Sequence, residues 1–152
     1  MLVTAVLRDA GAAHLAPVIA LLRESGLPTA DIDVAELRDF IVALDGGAVV
    51  GVVGLERHGE DGLLRSLAVA PGWRGHGLGH ALVEAIEARA AKLGVRLLAL
   101  LTQTAAAYFA ARGYAPIPRA HAPAAVQSSA EFSTLCPASS TCMVKALTTC
   151  HT

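Results

Sequence analysis

The stretch "VAPGWRGHGLGHALVEA", Val69 to Ala85, decides how the chain is read. Gly75, Gly77 and Gly79 stand at alternate positions, directly after an apolar run and directly before apolar residues at helical spacing. The first turn of a helix carries N–H groups without intrahelical acceptors and the positive end of the macrodipole, so anions bind there. Glycine lets backbone N–H groups approach phosphate oxygens with no Cβ in the way. "RGHGLGHAL" is therefore expected to cradle a diphosphate. The alternative is a strand-to-helix turn that merely needs left-handed backbone.

Two common phosphate motifs fail here. A P-loop needs Lys followed by Ser or Thr after its last glycine, and His80-Ala81 follows instead. A dinucleotide fingerprint needs G-x-G-x-x-G at the first βαβ unit. Counting from Gly77 puts Leu82 at the third glycine, and counting from Gly75 puts His80 there. Three antiparallel-looking strands also precede the motif.

Working outward, "VTAVLRDA" reads as a first strand and "AAHLAPVIALLRES" as a helix stopped by Gly26 and Pro28. "DVAELRDF" reads as a short second helix. "FIVALDGGAVVGVVGLERHGEDGLLRSLAVAP" reads as three strands, with hairpin turns at Asp45-Gly46-Gly47 and Gly59-Glu60-Asp61-Gly62. "GLGHALVEAIEARAAKLG" is a periodic helix stopped by Gly94. "VRLLALLT" is a buried strand. "TAAAYFAARG" is a helix with Thr104 as N-cap and Gly113 as its stop. "YAPIPR" is extended, "PAAVQSSAEF" a last helical turn with Pro123 at its first position, and "TCMVKAL" a closing strand. The expected fold is α/β, a mixed sheet with helices packed on it in a single domain, residues 1–147, followed by a flexible tail, 148–152.

Composition bounds the function. The chain has 152 residues and 54% hydrophobic residues, many of them alanine. No uncharged apolar stretch reaches the length of a transmembrane helix, and the N-terminus lacks a basic segment ahead of its apolar run. The expectation is a cytoplasmic protein with no membrane partner. The formal net charge of −1 supplies no basic footprint, so nucleic acid is not expected as a partner. All three cysteines lie from Cys136 onward, which is no disulfide framework. Six histidines give no i, i+4 pair within one helix, so no metal site is expected.

Arg74, Gly77 and Gly79 form Arg-x-x-Gly-x-Gly after a strand ending "LAVAP", and "LLTQTAAAYFAARGY" is an Ala-rich helix ending in Gly-aromatic before a strand. The two motifs, in this order and at this separation, resemble the GNAT superfamily of acetyl-CoA-dependent N-acyltransferases. The resemblance covers essentially the whole chain. It implies a GNAT fold, with a mixed central sheet of six to seven strands flanked by helices and central strands splayed at the CoA site. It implies acetyl-CoA as co-substrate, with N–H groups from Arg74, Gly75, His76, Gly77, Leu78 and Gly79 on the diphosphate. The strand Leu67, Ala68, Val69 would pair with the pantetheine arm and polarise the thioester carbonyl. Thr102 and Phe109 join the cofactor side on the same resemblance. A homodimer is compatible with it, and the attack on the thioester is direct, without metal or covalent enzyme intermediate.

The proton chemistry departs from the common family pattern. Many members carry Tyr four residues before the Gly of Gly-aromatic, as acid for the leaving thiolate, and Phe109 stands there in this chain. Tyr108 is about 100° around the helix. It is either the acid, on a rotated helix, or a core or rim aromatic. Glu56, near the end of the third strand, and His58 just beyond it are candidate bases, or else solvent-facing residues. His76 and His80 read as anion contacts.

The same segment resembles bacterial glutamate N-acetyltransferases of arginine biosynthesis, which carry "L-T-T-Q-T-A-x-x-F-x-x-R-G-F". This implies a small amino-acid acceptor. Arg65 lies mid-strand in "LLRSLAV", with Leu67 and Val69 expected on its own face. It either takes the acceptor's carboxylate or forms a salt bridge to Glu56 across the hairpin. "EFSTLCPASSTCMVKAL" resembles the tail of short acetyltransferases of arsenic-resistance operons. That implies a glutamate-like acceptor bearing arsenic or phosphinate, and a detoxifying role. Cys136 and Cys142 are then either a thiol pair for trivalent arsenic or packing residues. Biosynthetic glutamate acetylation ranks second, because the chain lacks the amino-acid-kinase-like domain many such enzymes carry. A non-catalytic acyl-CoA-binding or arsenic-sensing module ranks third.

Overall fold

A computed structural model describes residues 5–137 and 139–147. The expected tail, 148–152, and Cys150 within it lie outside the described residues. The strands are β1 Val6–Asp9, β2 Phe40–Asp45, β3 Ala48–His58, β4 Asp61–Val69, β5 Leu97–Thr102, β6 Ala115–Ile117 and β7 Thr141–Ala146. The helices are α1 Leu15–Glu24, α2 Leu78–Lys92, α3 Ala106–Ala110 and α4 Ala124–Gln127. The strand order is β1-β2-β3-β4-β5-β7-β6 in one seven-stranded sheet. The β4–β5 pair is parallel and the β1–β2, β2–β3, β5–β7 and β6–β7 pairs are antiparallel. Among the described residues no helix is long and apolar enough to cross a membrane.

The chain gathers into two compact units. One joins the chain up to Leu55 with Ser66–Ala88, and the other joins Glu56–Arg65 with the chain from Arg89 onward. In the first, α1 lays Val18, Leu21 and Leu22 against Phe40, Val42 and Val52. Phe40 and Val52 are fully buried, as expected of strands covered on both faces. Gly54 is the register partner of Phe40. A Cβ built on Gly54 would lie 2.4 Å from Phe40 Cζ, so the ring occupies the space of the missing side chain. In the second unit Ala122, Val126 and Phe132 cover Leu63, Ala99 and Cys142.

The helix stops are local chemistry. Each of the three main helices ends with a residue donating back to the carbonyl five positions earlier: Leu27 to Leu22, Val95 to Ala90 and Tyr114 to Phe109. Other expected bounds change. The "DVAELRDF" helix is only a 3₁₀ turn, Glu36–Asp39, anchored by Leu37 and opened by Asp33 Oδ1 accepting from the Glu36 N–H at 2.9 Å. So few residues cannot offset helix nucleation. Thr104 does not cap α3. Thr102 Oγ1 accepts from the Ala105 N–H at 3.0 Å, which delays the helix to Ala106. Pro123 precedes α4 as its cap and is not its first helical residue.

Two features of β4 were not expected. Its ladder to β5 runs only from Asp61 to Leu63, although both strands continue. Ser66 has φ 60°, the one left-handed non-glycine among the described residues. Ser66 interrupts the period-two alternation expected from Arg65 to Val69. Arg65 is buried, while Leu67 and Val69 are half-exposed.

Gly54→Ala is expected to lower stability by about 2 kcal/mol, since the Cβ must displace a fully buried ring. Chemical denaturation of the variant checks this, and an unchanged midpoint would show that Phe40 can move aside.

Candidate active site

The glycine turn lies in the first unit. Gly75 and Gly77 have φ of 80° and 81°, which L side chains rarely adopt. A Cβ at either would meet nothing within 4 Å, so the space in front of this backbone is open. The first intrahelical bond of α2 joins the Ala81 N–H to the Gly77 carbonyl at 3.1 Å. The N–H groups of Leu78, Gly79 and His80 therefore precede any helical acceptor. No acidic residue occupies the first turn of α2. The helix start is seated on β3 at Gly51, where a Cβ would lie 2.9 Å from Leu82 and 3.3 Å from Leu78. Arg74 Nε donates to the Val69 carbonyl at 3.0 Å, and Ala68 beside it is buried. His80 pairs with Glu84 at 2.6 Å on the exposed helix face, and His76 is exposed. An open, left-handed, cation-flanked turn at a helix start suits a diphosphate.

The second unit holds a charged network. Arg65 Nη1 lies 3.4 Å from Glu56 Oε1, and Nη2 lies 3.3 Å from Glu131 Oε2. The Arg65 side chain is 0% exposed and that of Glu131 is 6%. Glu56 Oε2 is 2.6 Å from His58 Nε2. Glu56 and His58, two residues apart on β3, are thereby brought together, and so are Glu56 and Arg65. Glu131 was missed, because its one-residue place among small residues carries no periodic signal. Ser66 was missed because nothing about a lone serine marks a left-handed strand residue.

On α3 the aromatic rings divide their roles. Phe109 is buried, with edge contacts to Tyr108 at 5.2 Å and Tyr114 at 5.6 Å between centroids. The Arg112 guanidinium lies 3.7 Å from the Tyr108 ring centroid. The Tyr108 hydroxyl is buried without a hydrogen-bond partner. A buried donor in that state is destabilising unless a ligand or water meets it. Thr102 is engaged at the turn before α3, as described above.

Cys142 is buried in the second core, and Cys136 is half-buried. Burial pushes the Cys136 thiol up to about 11, and the Glu131 carboxylate beside it adds to the rise. Burial likewise raises Cys142. Soft centres bind thiolates, and both thiols hold their protons at neutral pH. Among the described residues no group of three or more His, Cys, Asp or Glu gathers that could hold a metal ion. At pH 8 iodoacetamide is expected to modify Cys136 at least tenfold more slowly in the native than in the urea-unfolded protein, as resolved by peptide mapping. Equal rates would mean that Cys136 is an accessible thiolate.

Residues 36–116, a span holding both motifs, match the acetyltransferase (GNAT) domain family. Over 134 residues the chain is 33% identical to the amino-acid acetyltransferase of Pseudomonas paraeruginosa, covering 83% of this chain and 31% of that protein. Identity to the amino-acid acetyltransferase of Pseudomonas putida is 33% over 117 residues, 74% of this chain and 27% of that one. The chain thus spans about a third of the length of the curated relatives it matches. Among solved structures, N-acetylglutamate synthase from Neisseria gonorrhoeae, complexed with coenzyme A and N-acetyl-glutamate, superposes with a TM-score of 0.83 at 21% identity, covering 96% of this chain and 36% of that one. Rv2747 from Mycobacterium tuberculosis, in complex with CoA and NLQ, gives 0.78 at 24%, covering 94% and 99%. At these identities the structural likeness is one of fold. The family match extends over more than half of the chain and includes the glycine turn, so the chain belongs to the GNAT acetyltransferase family.

Proposed function

We propose that this N-acetyltransferase moves the acetyl group of acetyl-CoA to the α-amino group of a small amino acid of glutamate shape. The observation that carries the cofactor side is the pair of left-handed glycines, Gly75 and Gly77, with open space where their Cβ atoms would stand. The acceptor side is supported by the likeness to amino-acid acetyltransferases.

The N–H groups at the start of α2 and the Arg74 guanidinium hold the diphosphate. The main chain of Leu67–Val69, beyond the end of the β5 ladder, pairs with the pantetheine arm. The acceptor nitrogen attacks the thioester carbonyl carbon only when neutral. Glu56, hydrogen-bonded to His58, takes the ammonium proton. A C–N bond forms, the C–S bond breaks, and CoA leaves as thiolate. Tyr108 gives that sulfur its proton. The buried, unpartnered hydroxyl supports this role over that of a rim aromatic. Glutamate analogues with phosphinate or arsenic in the side chain belong to the same acceptor class, on the resemblance of the "LCPASSTCM" segment.

Release of free thiol from acetyl-CoA over a panel of glutamate, phosphinothricin, arsinothricin, alanine and lysine tests the reading. Turnover confined to the glutamate-shaped amines is expected, and silence across all three of them would overturn it. Gly77→Val is expected to stay folded, at about 1–2 kcal/mol of backbone strain, and to lose at least roughly tenfold in CoA affinity by calorimetry. Unchanged affinity would remove the cradle. Tyr108→Phe is expected to lower kcat by about a hundredfold with no loss of melting temperature. A loss below tenfold would leave the thiolate to be protonated by solvent.

A further inference from the structure

The cation that would receive an acceptor's carboxylate is already held by a carboxylate of the chain itself. Arg65 Nη1 faces Glu56 and Nη2 faces Glu131. Glu56 lies on β3, the hairpin partner of β4, and belongs to the proton chemistry. Glu131 comes from elsewhere, the short i→i+5 turn Glu131–Leu135 that follows α4. That turn closes with the Cys136 N–H on the Glu131 carbonyl at 3.0 Å. It is tied down by Arg119, whose Nη1 donates to the Pro137 carbonyl and Nη2 to the Phe132 carbonyl, both at 2.7 Å. Cys136 follows the same turn directly.

We infer that Glu131 is a specificity-determining residue that occupies, with its own side chain, the place of an acceptor carboxylate on Arg65. This rests on the proposed acetylation of a glutamate-shaped amine. A glutamate side chain is the chemical image of that acceptor, and it reaches a guanidinium that is 0% exposed. Nη2 and Oε2 are 3.3 Å apart, and Glu131 reaches Arg65 from a separate turn rather than from the β3–β4 hairpin. An acceptor with a second carboxylate must displace Glu131, whereas an acceptor without one need not. Glu131 thus weakens binding of dicarboxylic amino acids selectively and leaves neutral amino acids untouched. Its neighbour Glu56 keeps Arg65 charge-paired while the exchange takes place.

The test uses the whole chain saturated with CoA, titrated calorimetrically with glutamate and, separately, with alanine. Glu131→Gln keeps the shape and removes the charge. It is expected to bind glutamate about tenfold more tightly than the native protein, with alanine affinity changed less than twofold. Unchanged or weaker glutamate binding in a folded variant with native CoA affinity overturns the inference and makes Glu131 a structural ion-pair partner. Should Glu131→Gln fail to fold, Glu131→Asp retracts the carboxylate while keeping its charge. The same selective gain, smaller in size, is then expected, and its absence overturns the inference equally. Tighter glutamate binding in the variant without acetylation of any amine overturns the proposed activity alone. Acetylation of glutamate by the native protein with no selective gain in either variant overturns this inference alone.

Discussion

A guanidinium taken wholly out of water must be matched by opposite charge, and in this protein Arg65 sets that condition. Desolvating one cation costs several kcal/mol, and Glu56 and Glu131 both stand against it. The requirement ties β3, which brings Glu56, to β4, which brings Arg65, and to the turn after α4, which brings Glu131. Phe132 of the same turn packs with Leu63, Ala99, Val126 and Cys142 in the apolar core of this unit. The second carboxylate oxygen of Glu56 remains for His58. One buried cation thus joins the β3–β4 hairpin of the second unit to the turn after α4.

A different constraint governs the first unit. Gly51 lets Leu78 and Leu82 of α2 lie directly on β3, so the helix start is seated by contact with that strand. Ahead of that start, Gly75 and Gly77 take left-handed backbone angles with open space where a Cβ would stand. Neither constraint suffices alone. A loosely seated helix would not hold its N–H groups in register, and a turn of ordinary residues would not readily take these backbone angles.

What the sequence showed and what it hid follow the same division between local and distant causes. The hairpin at Gly46-Gly47, the stops after α1, α2 and α3, and the Gly75–Gly79 turn are set by residues within a few positions of each other. Propensity and spacing therefore reveal them. The extent of α3 was overestimated because Thr102, not Thr104, supplies the oxygen at its approach. That choice depends on where β5 ends. Ser66 and Glu131 were invisible for a stronger reason. A left-handed serine is tolerated only because the surrounding strands hold it, and a buried glutamate only because a distant arginine meets it. Both sit where local preference is overruled, which is where functional sites concentrate.

The thiols show how the same network constrains chemistry beside it. Cys136 lies next to a carboxylate that is itself committed to Arg65, and the anion discourages a second negative charge nearby. Arg119 and Arg65 pull in the opposite direction, yet burial and Glu131 outweigh them. Burial is the largest cause that keeps the thiol protonated, and the Glu131 charge is the second. Thiol ionisation and the Arg65 pairing are thus linked.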